Sequence, residues 1–190
     1  MLWLSMMLAC GPSKSTVSVD SADPTPSPIP WSRSLAPTLS AISPVRGFPP
    51  RRSIMHLHSP WSHDACDGEP LVDGAPNPQC LADLREALCT TAVDVAYLSD
   101  HPTHAADQTF DLLFHAAEED VRIEKDGQLI ATRFDCPSGH SVMWRAGIED
   151  TLMPLGLKQH SAPEDSAESH RLYNLATPEA ITAHKNSGAF

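Results

Sequence analysis

Apolar and polar positions change rhythm near residue 50. Residues 1–9 are almost wholly apolar, and residues 11–50 are rich in Ser, Pro and Thr with little periodicity, ending at Pro49-Pro50. Beyond Arg51 the chain shows short apolar runs separated by turn residues. The first, residues 53–59, stops at Pro60 and reads as a buried strand running into a loop. Leu81, Leu84 and Leu88 recur at spacings of three and four, which predicts an amphipathic helix over residues 81–91. Residues 93–98 form a β-prone run that ends in Ser99-Asp100-His101-Pro102. Strand, loop, helix and strand in this order predict a βαβ unit with parallel strands. Lys125-Asp126-Gly127 separates two further β-prone segments and predicts a hairpin, and residues 141–149 predict another strand. Near the end, Thr177 as cap and Pro178 in the first turn predict a short helix over residues 178–186. The fold class expected is α/β.

Composition adds a division into three parts. Residues 11–50 bury too little apolar surface to offset the entropy of ordering, and are expected to form a disordered tether between residues 1–10 and a globular part, residues 51–190. Met7-Leu8-Ala9-Cys10 resembles the end of a bacterial lipoprotein signal, in which the cysteine is lipidated, although no Lys or Arg precedes it. That resemblance implies an exported protein, either membrane-anchored through Cys10 or periplasmic. The formal net charge of −11 disfavours a nucleic-acid partner, which needs clustered Lys and Arg to neutralise phosphates. Cys66, Cys80, Cys89 and Cys136 allow three pairings, and reduced thiols are an equal alternative.

The candidate chemistry lies at the ends of the predicted strands. In His56-Leu57-His58, residues two apart on a strand project to the same side, so two imidazoles leave the chain together. The loop that follows supplies His63, Asp64 and Asp67. A second parallel strand then ends in Asp100-His101, at the same end of the sheet. Imidazole and carboxylate donors converging in this way suit a zinc-like divalent ion. His104, His115, His140, His170 and His184 are assigned to surface or loop positions, and His160 is a weak candidate for a late ligand.

Three motifs in order resemble the PHP (polymerase and histidinol phosphatase) domain. They are His56-Leu57-His58-Ser59 with Ser62 and Asp64, then Ser99-Asp100-His101, then Gly147-Ile148-Glu149. The resemblance implies metal ligation by His56, His58, Asp64, His101 and Glu149, with Glu149 bridging ions and Asp100 orienting an imidazole. It implies two or three divalent ions (zinc, manganese or iron), a small phosphorylated substrate and metal-dependent phosphoester hydrolysis. The fold it implies is a partial (β/α) barrel, truncated before the later strands that carry further ligands, so that little or no turnover is expected of this chain by itself. About 140 residues follow Pro50, whereas a complete barrel typically takes about 250. Two other readings share the His-x-His opening: an amidohydrolase-like metal hydrolase, and a non-catalytic metal-binding surface lipoprotein.

Overall fold

A computed structural model describes residues 39–190. The apolar leader, Cys10 and most of the expected tether lie outside the described residues. Residues 39–50 hold one 3₁₀ turn, Leu39–Ala41, and a bridge between Val45 and Phe48, with Ile42, Val45 and Phe48 all exposed.

Five strands form one mixed sheet. In chain order the strands are β1 (Ser53–Ile54), β2 (Leu71–Val72), β3 (Ala75–Pro76), β4 (Val95–Tyr97), β5 (Val121–Lys125), β6 (Gln128–Asp135) and β7 (Ser141–Arg145). The large sheet has the order β1-β4-β7-β6-β5, while β2 and β3 make a separate small ribbon. The strands β1, β4 and β7 run parallel; β6 is antiparallel to β7, and β5 to β6. The expected βαβ unit is present, with helix α1 (Pro78–Thr91) between β1 and β4. The α/β class is as expected; among the described residues no barrel is closed, and the sheet is open and mixed, with an antiparallel pair, β6 and β5, beyond the three parallel strands. The reversal has a local cause. Asp126 and Gly127 both take positive φ (56° and 78°), the conformation of a type I′ turn, so β6 returns beside β5 at once. A parallel return would need a crossover of a dozen residues or more.

Helix α1 begins at Pro78, three residues before its first leucine, because Asn77 caps it by accepting from the backbone N–H groups of Gln79 and Cys80. It ends at Ala92 in the left-handed conformation. Its inner face brings Leu88, with Leu81 and Leu84, onto Val93, Ala96, Leu98, Phe134, Val142 and Trp144. A second cluster, including Trp61, Leu113, Phe114, Ile148, Leu157 and Tyr173, gathers the irregular segments. Three shorter helices complete the fold: α2 (Pro102–Ala105), α3 (Ser166–Tyr173) and α4 (Pro178–Asn186). The last has the expected bounds and cap, since Thr177 accepts from the N–H of Ala180.

Disulfides clamp both ends of α1. Cys66–Cys80 joins the loop after the first histidine pair to its first turn, and Cys89–Cys136 joins its last turn to the residue after β6. From the middle of α1, Arg85 reaches the fully buried carboxylate of Asp120 with two hydrogen bonds, and its guanidinium stacks 4.2 Å from the Phe134 ring centre. Arg85→Ala leaves that carboxylate buried without a counter-charge, its remaining partner being the N–H of Ala117. Urea unfolding should therefore show a loss of about 3–5 kcal/mol, most of it recovered when Asp120→Asn is added. An unchanged unfolding midpoint in Arg85→Ala would show that the pair carries no structural weight.

Candidate metal centre

The five candidate ligands come from the carboxyl ends of three neighbouring parallel strands. Beyond β1 the chain is irregular, so residues 55–59 do not continue the expected strand as such. Pairing persists nonetheless: the N–H of Ser99 donates to the carbonyl of Leu57 at 2.8 Å, and the N–H of Leu57 donates to the Ser99 hydroxyl. Leu57 is thereby held beside the end of β4, and the histidines on either side of it project together. Across β4 and β7 the pairing also runs past the strands. Asp100 bridges Ile148 in parallel register, and the N–H of Glu149 donates to the carbonyl of Asp100 at 3.0 Å. The glycine of the third motif has a steric reason. A Cβ on Gly147 would lie 2.8 Å from the carbonyl oxygen of Leu98 and 2.9 Å from that of Pro154, so no side chain fits where these backbones meet.

His56, His58 and Glu149 form one group of potential ligands; His58, Asp64 and His101 form another. In the first, the Nε2 atoms of His56 and His58 lie 3.3 Å apart, and Glu149 Oε2 lies 2.5 Å from the first and 3.2 Å from the second. In the second, His58 Nδ1 lies 2.9 Å from Asp64 Oδ1, and His101 Nε2 lies 3.5 Å from Asp64 Oδ2. Two donors about 2.0–2.2 Å from one tetrahedral zinc are separated by about 3.3–3.6 Å. The separations of 3.3 and 3.5 Å fall in that interval and that of 3.2 Å lies just below it, while those of 2.5 and 2.9 Å are direct imidazole–carboxylate contacts, so the donor set suits a small divalent ion in chemistry and would have to open slightly to hold one. His63 does not join either group: it is exposed, with its ring 5.0 Å from that of His101. Asp64, not His63, is the loop residue turned toward the other donors.

The hydrogen bonds select tautomers. His101 Nδ1 faces the carbonyl oxygen of Glu149 at 2.9 Å, so it must carry the proton and leave the Nε2 lone pair facing the cluster. His58, rather than Glu149, is the residue that the two groups share. With its proton on Nδ1, it donates to Asp64 and presents Nε2 to His56 and Glu149. The arrangement then resolves into a three-donor set (His56, His58 and Glu149) beside a two-donor set (Asp64 and His101).

Three serines, each with no exposed surface, tie the motifs to one another. Ser62 donates to Asp64 at 2.6 Å and accepts from the N–H of His101. Ser99 accepts from Leu57 and donates to Glu149 at 3.3 Å. Ser59 donates from both its N–H and its hydroxyl to the two oxygens of buried Asp100. The expectation that Asp100 orients an imidazole is therefore corrected. Its two oxygens are taken by Ser59, and it holds the turn that follows His58. Sequence reasoning noted these serines only as motif letters; a hydroxyl carries no periodic signature of burial.

His160 lies apart from the cluster, where its Nε2 faces the carbonyl of Gln108 and its Nδ1 the hydroxyl of Tyr173. It is not the late ligand that its position suggested. His184, expected at the surface, is buried and stacks on Tyr173.

Charge interactions point the same way as the geometry. Burial opposes ionisation of Asp64, but the Ser62 hydroxyl and the His58 and His101 imidazoles outweigh it and hold its pKa at about 2. Burial likewise disfavours protonated His58, yet the neighbouring carboxylates of Glu149 and Asp64 raise its pKa above the ordinary 6.5. Asp100 is pushed up to about 6 by burial, against the pull of the Ser59 hydrogen bonds. A raised folded-state pKa means that protonated His58 stabilises the metal-free fold below about pH 6.5, an effect lost as pH rises through the folded value. An ion needs the deprotonated imidazole, so its binding has the opposite dependence. Stabilisation by added zinc, read from thermal unfolding with and without the metal, should grow between about pH 6 and pH 8. A zinc effect that is flat across this range would mean that proton and ion do not compete for His58.

Comparison of the chain with protein-family models, with curated proteins and with solved structures found no match.

Proposed function

We propose that this protein is a metal-dependent phosphoester hydrolase of the PHP kind, with divalent ions held by His56, His58, Asp64, His101 and Glu149. One observation carries the reading: three segments separated by about 40 residues each bring five nitrogen and oxygen donors to one end of adjacent parallel strands, in two overlapping groups. The three motifs that resemble the PHP domain are the segments that meet there, which supports the finer reading of the sheet as part of such a fold. Bound divalent ions in such a site activate water and neutralise the charge of a phosphoester. The chain's own residues prepare that chemistry. Glu149 and Asp64 supply negative charge on either side of His58, Ser62 and Ser99 fix the direction of each carboxylate, and the Glu149 carbonyl fixes the tautomer of His101. The substrate class is a small phosphorylated molecule. Two disulfides in a chain whose start resembles a lipoprotein signal support an exported location, anchored at Cys10 or periplasmic.

The test is hydrolysis of p-nitrophenyl phosphate and its diester by the purified chain, with zinc, manganese or iron added after chelation. The expected result is that the chain retains a divalent ion and that any turnover appears with metal and disappears on rechelation. Turnover indifferent to chelation would remove the proposal, as would a protein that retains no divalent ion at all.

A further inference from the structure

One histidine outside the ligand set is built into the same structure. His115 follows the 3₁₀ turn Phe110–Phe114 and takes a left-handed backbone conformation, φ 41° and ψ 41°, which is uncommon for a side chain of its size. Its ring lies between two tryptophans, roughly parallel to Trp61 at 6.2 Å and edge-on to Trp144 at 5.9 Å. Its Nε2 lies 2.7 Å from the hydroxyl of Ser59, a residue 56 positions away and directly after His58. That hydroxyl has three partners. It lies 2.7 Å from Asp100 Oδ2, and the N–H of Trp61 donates to it at 3.1 Å. A serine hydroxyl has one proton and two lone pairs. With the proton given to the Asp100 carboxylate, one lone pair takes the Trp61 N–H, and the other takes a proton on His115 Nε2. Every donor and acceptor around Ser59 is then satisfied.

We propose that His115 is a positioning residue for the metal centre: its Nε2–H fixes the Ser59 hydroxyl on Asp100, and so fixes the turn that carries His58 and Asp64. The role rests on the metal-binding reading above. The ring is suited to it because it stays neutral. Burial, and then the positive charge of Arg85, push its pKa down to about 3, so the imidazole is a fixed-tautomer donor and not a titrating group at neutral pH. Trp61 against its face and Trp144 edge-on limit the ring's freedom to turn. The unusual backbone conformation fits a side chain required at this place, since the residue after a helical turn is more cheaply a glycine.

Zinc affinity and imidazole NMR, measured on the full oxidised chain, test the role. In the metal-free protein, nitrogen-15 spectra should show His115 neutral with its proton on Nε2, and that signal should move in Ser59→Ala. Finding the proton on Nδ1 overturns the proposal whatever the metal does. His115→Phe keeps the ring between the tryptophans but removes the donor, and should weaken zinc binding roughly tenfold, the lower range for a residue acting on a ligand from behind. His115→Gln, whose amide nitrogen can occupy the place of Nε2, should recover most of that loss. Wild-type zinc affinity in His115→Phe would overturn the proposal, and so would a folded His115→Gln as weak as His115→Phe. A wild-type chain that binds no zinc would overturn the metal reading itself and this role with it, before any substitution is compared.

Discussion

Replacing His58 with alanine should weaken zinc binding by at least about 100-fold, more than any other single ligand substitution. His58 is the residue common to both donor groups. Its loss leaves His56 and Glu149 as a two-donor remnant and at the same time releases Asp64 from its 2.9 Å partner. His56→Ala removes one exposed donor from the first group, and Asp64→Ala one from the second, so each alone should cost less. The double variant His56→Ala/Asp64→Ala should approach the His58→Ala value, because it damages both groups at once. Competition with a chromophoric chelator measures all four affinities. Any phosphoesterase turnover should follow the same order. Near wild-type affinity in His58→Ala would dispose of the site as drawn, since no arrangement of the remaining donors keeps both groups intact.

The second large effect concerns the two clamps on α1. Cys89–Cys136 closes a 47-residue separation and Cys66–Cys80 one of 14, so loop-closure entropy assigns them about 4 and about 3 kcal/mol respectively. Replacing Cys89 and Cys136 together by serine should lower the melting temperature by roughly 10 °C in a domain of this size. The Cys66/Cys80 pair should cost somewhat less stability but more metal affinity. It anchors the loop on which Asp64 stands, whereas Cys89 and Cys136 lie at the far end of α1. If both serine pairs changed zinc binding equally, the disulfides would be acting on global stability alone.

Local signals in the sequence foretold much of this arrangement. His56 and His58 meet because residues two apart in extended chain share a side, and they do so even though regular strand geometry stops at Ile54. The final helix was legible to the residue because a threonine cap and a first-turn proline are chemical signals at fixed offsets. The same signals at Asn77 and Pro78 mark the start of α1, but apolar spacing alone begins only at Leu81. Other features depended on distance in space rather than on spacing. Four cysteines permit three pairings, and only the fold chooses between them. The hairpin between β5 and β6 was legible from Lys125-Asp126-Gly127, but how its two strands join the parallel ones, β6 against β7, was not. His115 looked like a loop histidine because histidine is more often exposed than buried; its setting between Trp61 and Trp144 comes from residues far away in the chain.

The strand at the far margin of the large sheet has a bearing on how these molecules meet one another. An open sheet ends in a row of unpaired N–H and carbonyl groups, a template onto which another chain's strand can add. The strand β5 carries exposed Arg122, Glu124 and Lys125, and its pairing with β6 is bent by a bulge at Ile130, opposite Ile123 and Glu124. An incoming strand would have to follow a bent margin and bring its own side chains alongside charges of both signs. Strand addition at this margin is therefore disfavoured by the strand's own charged sequence.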